Sequence, residues 1–263
     1  MSESDILKEI TAKKKEKILS AKQQLPEEEL KNRIQGLPAA RPFIKAITKE
    51  RQISLIAEIK KASPSRGVIR EDFNHLDIAK AYEEAGVQAI SVLTEEDFFL
   101  GNISYINEIK SVTTAPILRK DFILEPYQIY ESRYFGADAV LLIADLLTVE
   151  NICGLIQIAS GLGMDCLVEV HTERELKKVL KLKEAQLIGI NNRDLHTLEV
   201  DAKTTERLYP LIPSVRPVVV ESGIKNRQDV MFLKILGVSA VLIGSAFMEA
   251  ENIRAKVEEV MGW

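Results

Sequence analysis

The sequence predicts an α/β fold, a closed (β/α)8 barrel of the TIM type with a helical N-terminal extension, and three observations predict it. Eight short apolar runs rich in β-branched residues recur along the chain: SLIAEI, QAISVLT, PILRK, AVLLIA, CLVEV, LIGIN, PVVVE and AVLIG. They lie about 20 to 35 residues apart, the length of a strand, a loop and a helix. Most positions in each run are apolar, so both faces are expected to be buried, as in a parallel sheet. Eight such units in about 210 residues suit a closed barrel. A doubly wound open sheet is the rival, but it usually has fewer strands and carries a G-x-G-x-x-G fingerprint that does not occur here.

Residues 1–50 differ from the rest. ILKEITAKKKEKILSAKQ has apolar residues at roughly helical spacing among many lysines, and PEEELKNRI opens with a proline and three carboxylates, a good helix start. Two or three helices and no strand are expected there, with the lysine run as a solvated face. The expected organisation is a helical extension over 1–50, covering the barrel mouth, followed by the barrel over 51–263. Between the strands, LDIAKAYEEAG, QIYESRYFGAD, ERELKKVLKL and QDVMFLKILG read as helices. Gly86, Gly136 and Gly237 stand where a left-handed helix ending is wanted.

The chain has 263 residues, is 46% hydrophobic and carries a formal charge of −4 from 35 basic and 39 acidic residues. This mild balance argues against a nucleic-acid or membrane-surface protein. No stretch reaches transmembrane length, and the N-terminus has no apolar core of signal-peptide length. The two cysteines, Cys153 in a helical pattern and Cys166 in a strand pattern, read as buried free thiols of a cytoplasmic protein.

In such a barrel the chemistry sits at the C-terminal strand ends, and alternate residues of each strand point inward. Ile56, Glu58 and Lys60 share one face. So do Leu118, Lys120 and Phe122; Leu167, Glu169 and His171; Gly189, Asn191 and Arg193; and Val219 and Glu221. If these faces are the inner ones, Glu58, Lys60, Lys120, Glu169, Asn191 and Glu221 meet at one mouth. Burying so many charges is costly unless they pair well, and apolar residues would fill the space with less penalty. Paired lysines and glutamates in a partly dry pocket also shift each other's proton affinity, as acid-base chemistry requires.

Glu221-Ser222-Gly223 and Gly244-Ser245-Ala246 follow the seventh and eighth strands, where barrels commonly bind phosphate. Ser63 and Lys60 could add a hydroxyl and a positive charge. His75 is expected at the surface or as a cap, His171 in a structural role and His196 exposed. No cluster has metal-ligand spacing, so no metal is expected. Phe98, Phe99 and Phe122 read equally as core or as the wall of a flat apolar ligand site.

The motifs AEIKKASPSRG, SVLTEEDFFLG, ILRKDFILEPYQI, LVEVH, GINNRDL, ESGI and LIGSAFM, in this order from about residue 50 to 250, resemble those of the indole-3-glycerol-phosphate synthase family of tryptophan biosynthesis. Arg66 stands where a lysine is often found. The resemblance implies ring closure, decarboxylation and dehydration of 1-(2-carboxyphenylamino)-1-deoxyribulose 5-phosphate, with no cofactor. It implies that Lys120 is the general acid at the ribulose carbonyl and Glu169 the second acid-base group. Glu58 and Lys60 complete the charged site, and the dehydration step is open between Glu169 and that pair. Asn191 and Glu221 hold the substrate hydroxyls and the lysine network, and Arg193 anchors the carboxylate. Phe99 and Phe122 wall the anthranilate pocket. Lys60, Gly223, Gly244 and Ser245 bind phosphate, with Ser63 or Ser222 as further candidates. The expected partner is this small sugar-phosphate substrate, with no nucleic acid and no membrane. The chain is expected to be a monomer, compatible with association with other tryptophan-pathway enzymes. A sugar-phosphate isomerase is disfavoured because the first strand ends in Glu and Lys where a Cys is wanted. A Schiff-base aldolase would use Lys60 or Lys120 as an amine nucleophile.

Overall fold

The computed structural model describes residues 6–49 and 52–263. Residues 1–5 and the expected boundary at 50/51 lie outside the described residues. Strands β1 (Ser54–Ile59), β2 (Ala89–Leu93), β3 (Ile117–Lys120), β4 (Ala139–Ile143), β5 (Asp165–Val170), β6 (Leu187–Asn191), β7 (Val218–Glu221) and β8 (Ala240–Ile243) fall on the eight predicted runs. They close into one barrel in chain order, with β1 paired to both β2 and β8. Every pairing in the barrel is parallel.

The alternation of side chains sorts the core into two layers. Ile56, Leu118, Leu141, Leu167, Val219 and Leu242 fill the interior. Leu55, Val92, Leu142, Val168, Val220 and Val241 point outward into a second cluster, shared with helices such as α4 (His75–Glu84), α7 (Val149–Gly161) and α12 (Ile253–Met261). Polar caps start these helices. Asn74 accepts the N–H groups of Leu76 and Asp77 at α4, and Thr148 accepts that of Asn151 at α7. Gly86, Gly136 and Gly237 are all left-handed, with φ of 71°, 93° and 98°. At Gly237 the requirement is double, because an added Cβ would also lie 2.8 Å from the Tyr209 hydroxyl.

The N-terminal segment folds as α1 (Ile6–Gln24), α2 (Glu27–Arg33) and α3 (Phe43–Ile47). These helices go to different places. Leu7 and Ile10 of α1 pack into the cluster that holds Phe122, beside Phe98, Phe99 and Leu195 at the mouth. Leu30 of α2 packs with Ile18 and Tyr127, against α6 (Pro126–Tyr134) on the barrel's flank. Phe43 and Ile47 of α3 are fully buried in the interior cluster. The N–H of Ile44 donates to Asp165 at 2.9 Å and that of Arg41 to Asp138 at 2.6 Å. Asp165 and Asp138 stand at the starts of β5 and β4, so α3 closes the end opposite the mouth. The lysine run is not wholly solvated. Lys13 and Lys15 are exposed, whereas Lys14 is buried and pairs with Asp121 at 2.7 Å.

A hairpin of Ala62–Ser63 with Gly67–Val68 follows β1, inside what the sequence suggests is only a stiff polar loop. Cys166 is buried, but Cys153 is only half-buried, against the expectation that both are buried. Among the described residues no helix is long and apolar enough to cross a membrane.

Candidate active site

A cavity of about 980 Å³ opens at the C-terminal ends of the strands. Glu58, Lys60, Lys120, Glu169, Asn191 and Glu221 all line it, together with Phe99, Phe122, Arg193, Ser222, Gly223, Gly244 and Ser245. Ser63 is not among the residues lining it. It lines a small adjoining recess with Lys60, Phe99, Phe122, Arg193 and Ser245.

The charges form paired groups. Lys60 donates to Oε2 of Glu58 at 2.6 Å. Lys120 reaches Oε2 of Glu169 at 3.2 Å and Oε2 of Glu221 at 3.1 Å. Burial alone would favour a neutral Lys120 amine. The charges of Glu169, Glu221 and Glu58 outweigh it and push the pKa up, so the side chain is an ammonium at neutral pH. Burial likewise works to raise Glu169, but Lys120 and His171 hold it well below the usual carboxylate range. Glu221 goes the other way. Burial, reinforced by the charge of Glu169 and only partly offset by Lys120, pushes it up to about 8.

Close approach of backbone makes room for these carboxylates. A Cβ at Gly189 would lie 2.7 Å from Oε1 of Glu221. One at Gly244 would lie 3.0 Å from both Cβ and Cδ of Glu58. Asn191 accepts the backbone N–H of Arg193 through Oδ1 at 3.0 Å, and the Arg193 guanidinium donates to the carbonyl of Leu198 at 2.7 Å. Ser222 and Gly223 are consecutive left-handed residues, with φ of 64° and 81°. The turn is held by Asn192, whose amide donates to the Ser222 carbonyl at 3.1 Å. Phe99 and Phe122 stand with ring centroids 6.2 Å apart on one wall. Across the cavity rim, Arg66 on the hairpin turn pairs with Glu249. Among the described residues no group of His, Cys, Asp and Glu is arranged to hold a metal ion.

Three residues outside the expected site support it. Asp121 is buried beside Lys120, bonded to Lys14, to Arg119 at 2.9 Å and to Thr94 at 2.6 Å. Glu95 is buried and accepts the backbone N–H groups of Asp97, Phe98 and Phe99, which fixes the loop carrying the aromatic wall. His171, expected to be structural, touches Glu169 at 3.3 Å. His75 is the first residue of α4 and contacts Glu108 at 2.7 Å, the cap being Asn74. His196 is exposed and contacts Asp145 at 2.9 Å.

The family model for indole-3-glycerol phosphate synthase matches residues 7–260. The indole-3-glycerol phosphate synthase of Acetivibrio thermocellus is 52% identical over 256 residues, covering 97% of this chain and 98% of the relative. That of Caldanaerobacter subterraneus subsp. tengcongensis is 50% identical over 259 residues, covering 98% and 99%. Solved structures agree in fold alone. The 3-hexulose-6-phosphate synthase of Salmonella typhimurium superposes with a TM-score of 0.65 at 17% identity, covering 80% of this chain and 97% of its own. A mutant tryptophan synthase alpha-subunit from Pyrococcus furiosus gives 0.62 at 18% identity, covering 80% and 98%.

Proposed function

The chain belongs to the indole-3-glycerol phosphate synthase family, and from that premise we propose how its residues divide the reaction. The enzyme converts 1-(2-carboxyphenylamino)-1-deoxyribulose 5-phosphate into indole-3-glycerol phosphate, carbon dioxide and water, in tryptophan biosynthesis. The observation that carries the assignment is the position of Lys120, an ammonium at the end of β3 that faces the cavity between two carboxylates.

The aromatic carbon bearing the carboxylate attacks the ribulose carbonyl carbon. The carbonyl oxygen takes a proton from Lys120, which enters the step already charged. The bond to the carboxylate then breaks and carbon dioxide leaves, returning its electron pair to the ring system. Arg193 holds that carboxylate beforehand. Its guanidinium is partly committed to the Leu198 carbonyl, which suits a group that must be oriented without being over-stabilised. Dehydration expels the new hydroxyl as water. Glu169, ionised beside Lys120, is one candidate for removing the proton, and the Glu58/Lys60 pair is the other. Asn191 and Glu221 orient the substrate hydroxyls and Lys120. Phe99 and Phe122 flank the anthranilate ring.

We assign the phosphate to Gly223, Gly244, Ser245 and Lys60, with Ser222 and Ser63 as further donors. The consecutive left-handed residues Ser222 and Gly223 support this, because such turns present backbone N–H groups together. We propose that the chain acts as a monomer, and association with other enzymes of the pathway would be an addition to it. A cytoplasmic setting fits two cysteines that remain free thiols. Over the mouth we propose only α1 as a cover, since Leu7 and Ile10 pack beside the aromatic wall.

The test is Lys120→Ala. With unchanged circular dichroism, kcat for indole-3-glycerol phosphate formation falls roughly 10²-fold or more, the scale of a lost general acid. Near-wild-type turnover would overturn the assignment.

A further inference from the structure

Lys120 treats its two carboxylates alike: Nζ lies 3.2 Å from Glu169 and 3.1 Å from Glu221. Nothing in those distances says which carboxylate stays charged. The asymmetry lies on their far oxygens. Oε1 of Glu169 meets Nε2 of His171 at 3.3 Å. Oε1 of Glu221 instead faces Gly189, where there is no side chain to meet it. The 3.3 Å approach is an ion-pair contact without hydrogen-bond geometry: neither Oε1 atom has a hydrogen-bond partner, and neither does Nε2 of His171.

His171 is itself fixed. Its backbone N–H donates to Oε2 of Glu175 at 2.8 Å, and Nδ1 approaches the same oxygen at 3.3 Å. Glu175 is held in turn by the Thr172 hydroxyl at 2.6 Å. The titratable groups facing the ring are thus Glu169 on β5, the strand that His171 directly follows, and Glu175 on the next helix α8 (Glu173–Val179). Lys120 lies behind Glu169, on its other oxygen. The ring is nearly buried and does not line the cavity, so it does not reach substrate.

We propose that His171 is a positioning residue that decides which of the two carboxylates flanking Lys120 is ionised. By setting its charge 3.3 Å from Oε1 of Glu169 it keeps that group charged and leaves the mouth's proton on Glu221. The electrostatics agree. Burial alone would lower the His171 pKa, but Glu169 and Glu175 push it up to about 10, so the ring is a cation at neutral pH. The proposal deepens the reading above, resting on Glu169 as an acid-base group that must be ionised when Lys120 turns to the substrate carbonyl.

The direct test follows the protonated-carboxyl band of the pair by infrared difference spectroscopy as pH rises. In His171→Asn the midpoint of its loss moves up by roughly one pH unit, because the pair has lost an adjacent cation. In His171→Lys, which restores a cation, the midpoint stays near that of the unaltered enzyme. An unmoved midpoint in His171→Asn overturns the proposal. Should that variant not fold, nitrogen NMR of the three histidines in the unaltered enzyme decides. An imidazolium at His171 at pH 7.5 is required, and a neutral ring there overturns the proposal. Kinetically, His171→Asn loses kcat by roughly tenfold at neutral pH while KM stays within about twofold, the signature of a group acting only on the chemical step. Glu169→Gln separates the two readings. Normal turnover in Glu169→Gln would remove Glu169 from the reaction, while the infrared midpoint would still decide what His171 does.

Discussion

Gly244→Ala is the smallest change that tests how tightly the mouth is built. The added Cβ would lie 3.0 Å from both Cβ and Cδ of Glu58, and closer still to its Oε2. Carbon atoms rest about 3.5 to 4.0 Å apart, so the Glu58 side chain must retreat by roughly 0.5 to 1 Å. It has little room to do so. Its carboxyl is almost fully buried, and Oε2 already holds Lys60 at 2.6 Å. A shift of that size stretches the contact to the limit of ordinary hydrogen-bond length or past it.

Overpacking of this kind costs about 1 to 3 kcal/mol. In a chain of this size that lowers Tm by roughly 3 to 10 °C. The rate suffers more, since misplacing a catalytic group by about 1 Å can cost on the order of 10²-fold in kcat. KM also rises if Gly244 contributes to the phosphate site. Thermal melts and steady-state kinetics by indole fluorescence measure both effects. The double variant Gly244→Ala with Glu58→Asp withdraws the carboxyl by one methylene. It recovers part of the lost Tm, the contact with Cβ of residue 58 remaining, without recovering kcat. Gly244→Ala with unaltered Tm and kcat would refute the argument, as would a double variant less stable than the single one.

Two further outcomes follow from the charges and the N-terminal helices. Glu221 is raised from 4.5 to about 8, so across that window the folded chain keeps a proton that the unfolded chain has released, and this contribution to stability declines as pH rises. Glu221→Gln removes the decline, so its Tm relative to the unaltered protein increases from pH 5 to pH 9. A difference independent of pH would contradict the raised value. Deleting residues 1–25 removes α1 but leaves α3. The barrel stays folded by circular dichroism, and KM rises by about tenfold, equivalent to about 1.4 kcal/mol of lost binding. Extending the deletion through residue 47 strips Phe43 and Ile47 from the opposite end, each substitution-scale loss being about 2 to 5 kcal/mol, and the chain no longer folds. Identical behaviour of the two truncations would show that the helices do not serve different ends.

Most of the buried charges that the sequence made legible sit on strands. Side chains alternate strictly along a strand, so the parity of Glu58, Lys120, Glu169, Asn191 and Glu221 could be counted from their apolar neighbours. Past the strand end the count holds for Lys60, Phe122 and Arg193, which line the cavity, but not for every residue. His171 keeps the parity of Glu169, yet its ring turns to α8 and Glu175 and does not line the cavity. Lys14 looks like any lysine in a solvated run, and only a partner 107 positions away, Asp121, makes it a buried one. Phe43 and Ile47 carry no mark that sends them to the closed end of the barrel. These features depend on pairings between distant segments, for which a single sequence has no period to read.

The charges, once assembled, also explain why one carboxylate must hold a proton. Around Asp121 the balance is even, with Lys14 and Arg119 facing Asp121 and Glu131. Around Lys120 it is not. Glu58, Glu169, Glu175 and Glu221 are four carboxylates, and Lys60, Lys120 and His171 are three cations. A surplus negative charge in a buried cluster is expensive, and taking up one proton removes it. Of the two carboxylates flanking Lys120, Glu221 has that lysine alone, whereas Glu169 also contacts His171. On the reading proposed above the proton goes to Glu221, which leaves Glu169 ionised as the base beside an ammonium as the acid. An incoming substrate adds a phosphate and a carboxylate to this nearly neutral cluster. Arg193, which lines the cavity and stands outside the count, has no carboxylate partner among the described residues, and on the reading proposed above it supplies positive charge for the substrate carboxylate.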